Sequence, residues 1–143
     1  MSAVVDELAE VKLFGGLSQR QLRQLARLMK ERTFRPGVTV VEEGTMSGVG
    51  FFIVAEGEAS VSVDGREVAR IGPGDHFGEL ALLDDEAGRT ATVVANGELT
   101  TAAMTSWQFK PFLAEHPEMA WDLMRTMVKR LNASEQRNFA EAS

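Results

Sequence analysis

Apolar and polar positions along the chain change their period twice. Val4, Val5, Leu8, Val11 and Leu13 recur at roughly helical spacing and predict a short N-terminal helix. Gly15 and Gly16 then break the pattern. Ser18 and Gln21 have the spacing of a capping box, in which each side chain satisfies the other residue's backbone N–H. Leu22, Leu25, Ala26, Leu28 and Met29 follow at helical spacing and predict an amphipathic helix over 19–31.

From Thr33 to Met104 the period is two. Runs such as "VTVVEEG", "GFFIVAEG", "EASVSVDG", "TATVVANG" and "ELTTAAM" are rich in β-formers and are mostly closed by glycine, as in an antiparallel barrel or sandwich. Asp64-Gly65, with alternation on both sides, predicts a hairpin, and Asn96-Gly97 predicts a second turn by the same chemistry. The helical period returns after Met104. Thr105 and Ser106 are the expected caps, with Trp107, Phe109, Phe112 and Leu113 as packing residues and Pro111 near the first turn. Pro117 restarts a helix. That helix carries Met119, Ala120, Leu123, Met124, Met127, Val128 and Leu131 on one face, with Met119, Leu123 and Trp121 expected in the core.

The predicted fold is mainly β with flanking helices. It is an antiparallel β-roll or jelly-roll barrel over 33–104, with N-terminal helices in 1–32 and a long C-terminal helix within 105–143. A length of 143 residues fits one domain with one core. The absence of cysteine excludes disulfides, iron–sulfur clusters and thiolate zinc sites. Two histidines far apart, His76 and His116, exclude a metal site built on several imidazoles. A net charge of −6 argues against direct nucleic-acid binding. An anionic small ligand would need a local positive site working against that field. The start "MSAVVDELAE" has no signal-peptide pattern and favours a complete N-terminus. No apolar run approaches ~20 residues, so no membrane contact is expected and the expected location is the cytoplasm.

The candidate chemistry lies in "GDHFGELALLDDEAGRTATVV", Gly74 to Val94. Glu79 interrupts an apolar run directly after Gly78. One reading is a surface charge on a strand or short helix. The other is a single helical turn opened by Gly78, with outward N–H groups that attract an anion and a carboxylate that accepts a ligand hydroxyl. Arg89 is expected at the start of a strand, sharing a face with Ala91 and Val93. Asp84, Asp85 and Glu86 are ready partners for it, but an exposed pair of that kind stabilises by only ~0–1 kcal/mol. Arginine beside the Thr90 hydroxyl and a helical turn suits a phosphate better.

These residues resemble the phosphate-binding cassette of the cyclic nucleotide-binding domain family, which includes the catabolite activators, kinase regulatory subunits and cyclic-nucleotide-gated channels. The pattern is Gly-Glu-x-Ala from Gly78, followed at the family's interval by Arg-Thr-Ala from Arg89, within a cassette spanning 74–92. The resemblance implies a binding segment of Gly78, Glu79, Leu80, Ala81, Arg89, Thr90 and Ala91. In it Glu79 accepts the ribose 2′-hydroxyl, and Arg89 pairs with the exocyclic phosphate oxygens. The N–H groups of Ala81 and Thr90 complete the cradle, and Gly78 admits the sugar. Thr90 permits cyclic GMP, by reaching the 2-amino group of a syn guanine, without demanding it. Gly88 stands where many relatives carry proline.

The resemblance also implies a regulatory sensor rather than an enzyme. It needs no cofactor or metal, takes cAMP or cGMP as ligand, and signals to a protein effector by moving its C-terminal helix. Met127 and Leu131 are candidate lid residues, and Arg130, Asn132 and Gln136 candidate base contacts. Met124 and Val128 share that face, and the four residues Met124, Met127, Val128 and Leu131 either cover the purine as a lid or pair with a second chain as a homodimer seam. Two other readings compete: a nucleotide-free protein-interaction domain in which Glu79 and Arg89 pair with each other, and a cupin-like metal oxygenase, which the histidine count disfavours.

Overall fold

The computed structural model describes residues 2–42, 44, 50–83, 89 and 91–142, with the side chains at 2, 3, 80, 130 and 134–142 outside the description. Two compact units result, a helical unit of residues 1–26 and 113–143 and a β unit of residues 27–112.

In the helical unit, α1 (Ser2–Ala9) is followed by a 3₁₀ turn (Lys12–Phe14) and by α2 (Gln19–Ala26). The capping box at the start of α2 forms as expected. The Gln21 backbone N–H donates to Ser18 Oγ at 3.1 Å, and the Ser18 N–H donates to Gln21 Oε1 at 2.8 Å. Leu22, Leu25 and Ala26 are buried, but the helix ends at Ala26 instead of continuing to residue 31. The cause is β1 (Lys30–Phe34), whose backbone pairs antiparallel with Leu99–Ala103. A tertiary ladder overrides the local helical spacing. The long helix α4 (Pro117–Ala142) begins at its proline, as predicted. Gln21 Nε2 donates to Asp122 Oδ2 at 3.2 Å and links α2 to α4. Met119 and Leu123 are buried as expected. Trp121 is not in the core; it is 63% exposed.

The β unit is one antiparallel sheet. It contains β1, β2 (Thr39–Val41), β3 (Phe51–Val63), β4 (Arg66–Ile71), β5 (His76–Phe77) and β6 (Thr92–Met104). The order β1-β6-β3-β4 is extended by β2 on β6 and β5 on β3, and the sheet rolls without closing. Its core comprises Val41, Phe52, Val54, Ala59, Val93, Ala95, Leu99 and Ala103, with Phe34, Val40, Val61, Ile71 and Phe77 packed on them. Phe52 stacks on Phe77 at 4.9 Å and meets Phe34 edge-on at 6.0 Å. Thr105 then caps α3 (Ser106–Glu115), its Oγ1 accepting from the Gln108 N–H at 3.2 Å. Phe109 is buried, whereas Trp107, expected to pack, is 72% exposed. Pro111 lies inside this helix.

Of the two predicted turns, one is a turn and one is not. Asp64 (φ 53°) and Gly65 (φ 77°) join β3 to β4, with Val63 opposite Arg66, as a primed two-residue hairpin. Asn96 and Gly97 lie inside β6. There the register with β3 slips between Val54 and Glu56 and again between Glu56 and Glu58. Gly57 (φ 90°) and Gly97 (φ 93°) take the positive dihedrals of a β-bulge. Runs that read as four short strands are therefore two long ones bent at glycines. A Cβ on Gly57 would collide with the Glu98 carbonyl oxygen, which is backbone and cannot step aside. Gly57→Ala is expected to lose ~2–4 kcal/mol and to lower the thermal midpoint by roughly 5–10 °C in calorimetry.

Candidate functional site

The segment from Gly72 to Arg89 is positioned one step at a time by the β unit. Gly72-Pro73-Gly74-Asp75 is a type II turn. Gly72 O accepts from the Asp75 N–H at 3.0 Å, and Gly74 supplies the required positive φ of 91°. The Asp75 carboxylate accepts the Gly72 N–H at 2.9 Å and holds the turn closed. β5 then lies on β3, with His76 opposite Ile53 and Phe77 opposite Phe52. The aromatic stack fixes where the strand ends.

Gly78 comes next, at φ 86°. A 3₁₀ turn (Glu79–Leu82) follows, closed at its start by the Ala81 N–H donating to Gly78 O at 3.0 Å. The single helical turn expected after Gly78 is thus present, and buried Leu82 anchors it. Its first N–H groups, those of Glu79 and Leu80, precede the turn's own first bond. The Ala81 N–H, expected in a phosphate cradle, is engaged with Gly78 O, so a second acceptor would have to share it.

Arg89 is in the loop before β6, not at the first position of that strand. Its carbonyl accepts the Gly44 N–H at 2.8 Å, and its Nη1 donates to Gly50 O at 3.1 Å. Burial pushes the guanidinium down from its usual value, yet arginine remains charged. Gly78 and Arg89 meet at Gly50. A Cβ on Gly78 would strike the Gly50 carbonyl oxygen and come within 2.9 Å of Arg89 Nη1. Gly50 is itself enclosed, because its own Cβ would fall 2.7 Å from Met104 O. Two close backbone approaches therefore set the guanidinium beside the cassette glycine.

Glu79 is half-buried, and its Oε2 lies 3.6 Å from His76 Nδ1. Ala91 is half-buried next to the strand start. Thr90, Gly88 and the acidic residues at 84–86 lie outside the described residues, as do the side chains of Leu80, Arg130 and Gln136. Met127 and Leu131 are exposed on α4, at 43% and 59%. The structure thus brings Gly78, Glu79, Ala81 and Arg89 into one short stretch of the β unit. Two neighbours of the candidate residues escaped the sequence reading. Gly50 acts through its carbonyl and has no side-chain signal. His76 had a signal, the three-residue spacing to Glu79, which places both on one side of a tight turn. Among the described residues no group of His, Asp and Glu is arranged to hold a metal. Among the described residues no helix is long and apolar enough to cross a membrane.

A backbone-lined arginine, a carboxylate on a 3₁₀ turn and an intervening glycine on a β-roll match the family that the motif suggested. The cyclic nucleotide-binding domain profile matches residues 31–116, and the chain belongs to that family. It is 40% identical over 88 residues to a cGMP-dependent protein kinase of Toxoplasma gondii, covering 62% of this chain and 9% of that one. It is 36% identical over 110 residues to a cAMP-dependent protein kinase regulatory subunit of Colletotrichum orbiculare, covering 76% of this chain and 28% of that one. Among solved structures, the N-terminal domain of a transcriptional regulator from Streptomyces coelicolor A3(2) superposes with a TM-score of 0.77 at 34% identity. The match covers 92% of this chain and 94% of that one. The chain spans about a third or less of the length of these two kinase-related relatives.

Proposed function

We propose that this chain is a regulatory sensor that binds cAMP or cGMP at Gly78–Ala91 and passes occupancy to a protein effector through α4. The observation that carries the reading is the convergence of Arg89 Nη1, Gly50 O and Gly78 on one point of the roll. A cyclic phosphate carries one negative charge, and one half-buried guanidinium neutralises it. The planar fork matches two exocyclic oxygens, and the N–H groups at the start of the 3₁₀ turn add neutral donors. Glu79 accepts the ribose 2′-hydroxyl. Thr90 adds a hydroxyl that both purines tolerate. That breadth agrees with relatives that divide between a cGMP-dependent kinase and a cAMP-dependent regulatory subunit.

Signalling requires the ligand to favour one placement of α4 over another. Trp121, Met124, Val128 and Leu131 follow a three-four-three spacing and are all exposed, which suits either a lid over the base, with Met127 and Arg130 beside it, or a homodimer seam. The sensor acts in the cytoplasm, without catalysis, cofactor or direct nucleic-acid contact.

Calorimetric titration with cAMP, cGMP and their 2′-deoxy forms tests the reading. Saturable binding of at least one cyclic nucleotide is expected. Loss of the 2′-hydroxyl should weaken it ~10–100-fold, the worth of a hydrogen bond to a carboxylate. Glu79→Ala should erase that difference between ribose and deoxyribose. Absence of heat from both cyclic nucleotides at millimolar concentration would sink the proposal.

A further inference from the structure

We propose that β1 (Lys30–Phe34) is a docking edge for an extended acidic segment of a partner protein. The whole chain carries a net charge of −6, yet Arg27, Lys30, Arg32 and Arg35 follow one another closely with a single acid, Glu31, among them. All five side chains are exposed. Among the described residues, none of the four cations meets a carboxylate. Core packing does not account for β1, because Phe34 is its one position that is not fully exposed. The Phe34 ring meets Phe52 edge-on at 6.0 Å and carries the Arg32 guanidinium 5.4 Å from its centroid. One cation of the strand is thus held in place on an anchored aromatic. Just upstream, the Leu28 carbonyl accepts from Gln108 Nε2 at 3.4 Å, which ties the approach to β1 onto the start of α3.

The strand order β1-β6-β3-β4 leaves two ends, and they differ. At β4 the register with β3 shifts between Val61 and Ser62, and Arg70 is already paired with Glu67 at 3.3 Å. A broken register and internally neutralised charge make a poor template. At β1 five consecutive residues pair with Leu99–Ala103 without a shift. Backbone groups of an edge strand alternate in direction, so part of this regular ladder points away from β6. An added strand takes its hydrogen bonds there and its specificity from alternate side chains.

The charges select the occupant. Lys30 and Arg32 lie on one face of β1. A second copy of β1 docked antiparallel would set Lys30 against Arg32, or Arg32 against its own equivalent, and like charges directly opposite are destabilising. An incoming strand with carboxylates at alternate positions sets an opposite charge against each. A long polyanion would meet the acidic remainder of the chain, whereas a short acidic segment would not. The surface uses no residue of the nucleotide site, so it stands apart from the binding reading above.

Fluorescence anisotropy with a short labelled peptide of alternating glutamate and valine tests the proposal. Saturable binding is expected, weakened several-fold in roughly 1 M salt, where the screening length falls to about 3 Å. The double substitution Lys30→Glu, Arg32→Glu makes two attractive cross-strand pairs repulsive and should weaken binding at least about tenfold. Glu31→Lys removes the single acid and should tighten it about threefold. Both variants alter exposed side chains outside the cassette, so thermal midpoint and cyclic-nucleotide affinity should match wild type. Saturating peptide should also slow hydrogen exchange at alternate amides of Lys30–Phe34. No binding at millimolar peptide, or equal binding by the double variant, overturns the proposal. An unchanged Kd in Glu31→Lys overturns it independently of how the double variant folds. So does equal affinity for a peptide of the same composition with its glutamates in one block, since that is charge attraction without strand pairing. Tighter binding of single-stranded DNA or of phosphatidylserine vesicles than of the peptide overturns the acidic-segment partner and assigns the surface to that polyanion.

Discussion

Arg89→Ala is expected to weaken cyclic-nucleotide binding from about 30-fold to several-thousand-fold, with the folded state nearly intact. The range corresponds to ~2–5 kcal/mol, the usual loss when one partner of a buried, hydrogen-bonded charge pair is truncated. Two features of the structure favour the upper part. The guanidinium is already partly desolvated, so its charge is less screened than that of an exposed arginine. Its Nη1 is also fixed on the Gly50 carbonyl, so little side-chain freedom is lost on binding. Stability should change far less, since that bond is worth ~1 kcal/mol net. Arg89→Lys keeps the charge and loses the fork, and should fall between wild type and alanine. Calorimetric dissociation constants together with thermal midpoints separate the two effects. A Kd for Arg89→Ala close to that of wild type would show that the phosphate is not held here.

Gly78→Ala carries the second large effect, and it acts on stability and binding together. The residue sits at φ 86°, where an L side chain costs ~1–2 kcal/mol. Its Cβ would also press on the Gly50 carbonyl oxygen and on Arg89 Nη1. Moving either displaces the arginine. Gly74 provides the control. It has a similar φ of 91°, but a Cβ there meets nothing within 4 Å. Gly74→Ala should therefore show the dihedral cost alone and keep its affinity. Gly78→Ala should lose ~2–4 kcal/mol and bind at least tenfold more weakly. Equal midpoints and equal affinities for the two variants would contradict the close approach on which the site rests.

The same glycines show how far the sequence could be read. Asp64-Gly65 and Asn96-Gly97 carry the same local message, a backbone free to take positive φ. At the first, alternating runs on both sides pair with each other and the message means a hairpin. At the second, the partner is β3, far away in sequence, and the message means a bulge. Local chemistry specifies the dihedral; the long-range ladder decides its use. The end of α2 teaches the same lesson. Leu28 and Met29 continue a helical spacing, but the polar segment Lys30–Phe34, almost wholly exposed, is claimed by backbone pairing with β6. An edge strand of that kind has little hydrophobic alternation to announce it.

The candidate site was legible where side chains mark it. Glu79 and Arg89 stood out because charge in an apolar run demands a reason, and the motif resemblance supplied the ligand class. The contribution of Gly50 was not legible, because a carbonyl oxygen has no residue type. The exposed side of α4 was read only in part. Periodicity grouped Met119 and Leu123 with Met124, Met127, Val128 and Leu131 on one face, whereas the structure buries the first two and exposes the other four. A stripe spanning that much of a helix surface exceeds what one packing partner covers.

In the proposed complex a cyclic nucleotide sits between the 3₁₀ turn and Arg89. Amide and arginine side-chain NMR of the uniformly ¹⁵N-labelled protein during titration with cAMP or cGMP addresses it most directly. The largest saturable shifts are expected on the amides of Gly78 to Ala81 and Ala91 and on the Arg89 Nε–H, with one shared dissociation constant. Saturable shifts confined to other parts of the chain, with the Arg89 Nε–H unmoved, would contradict it.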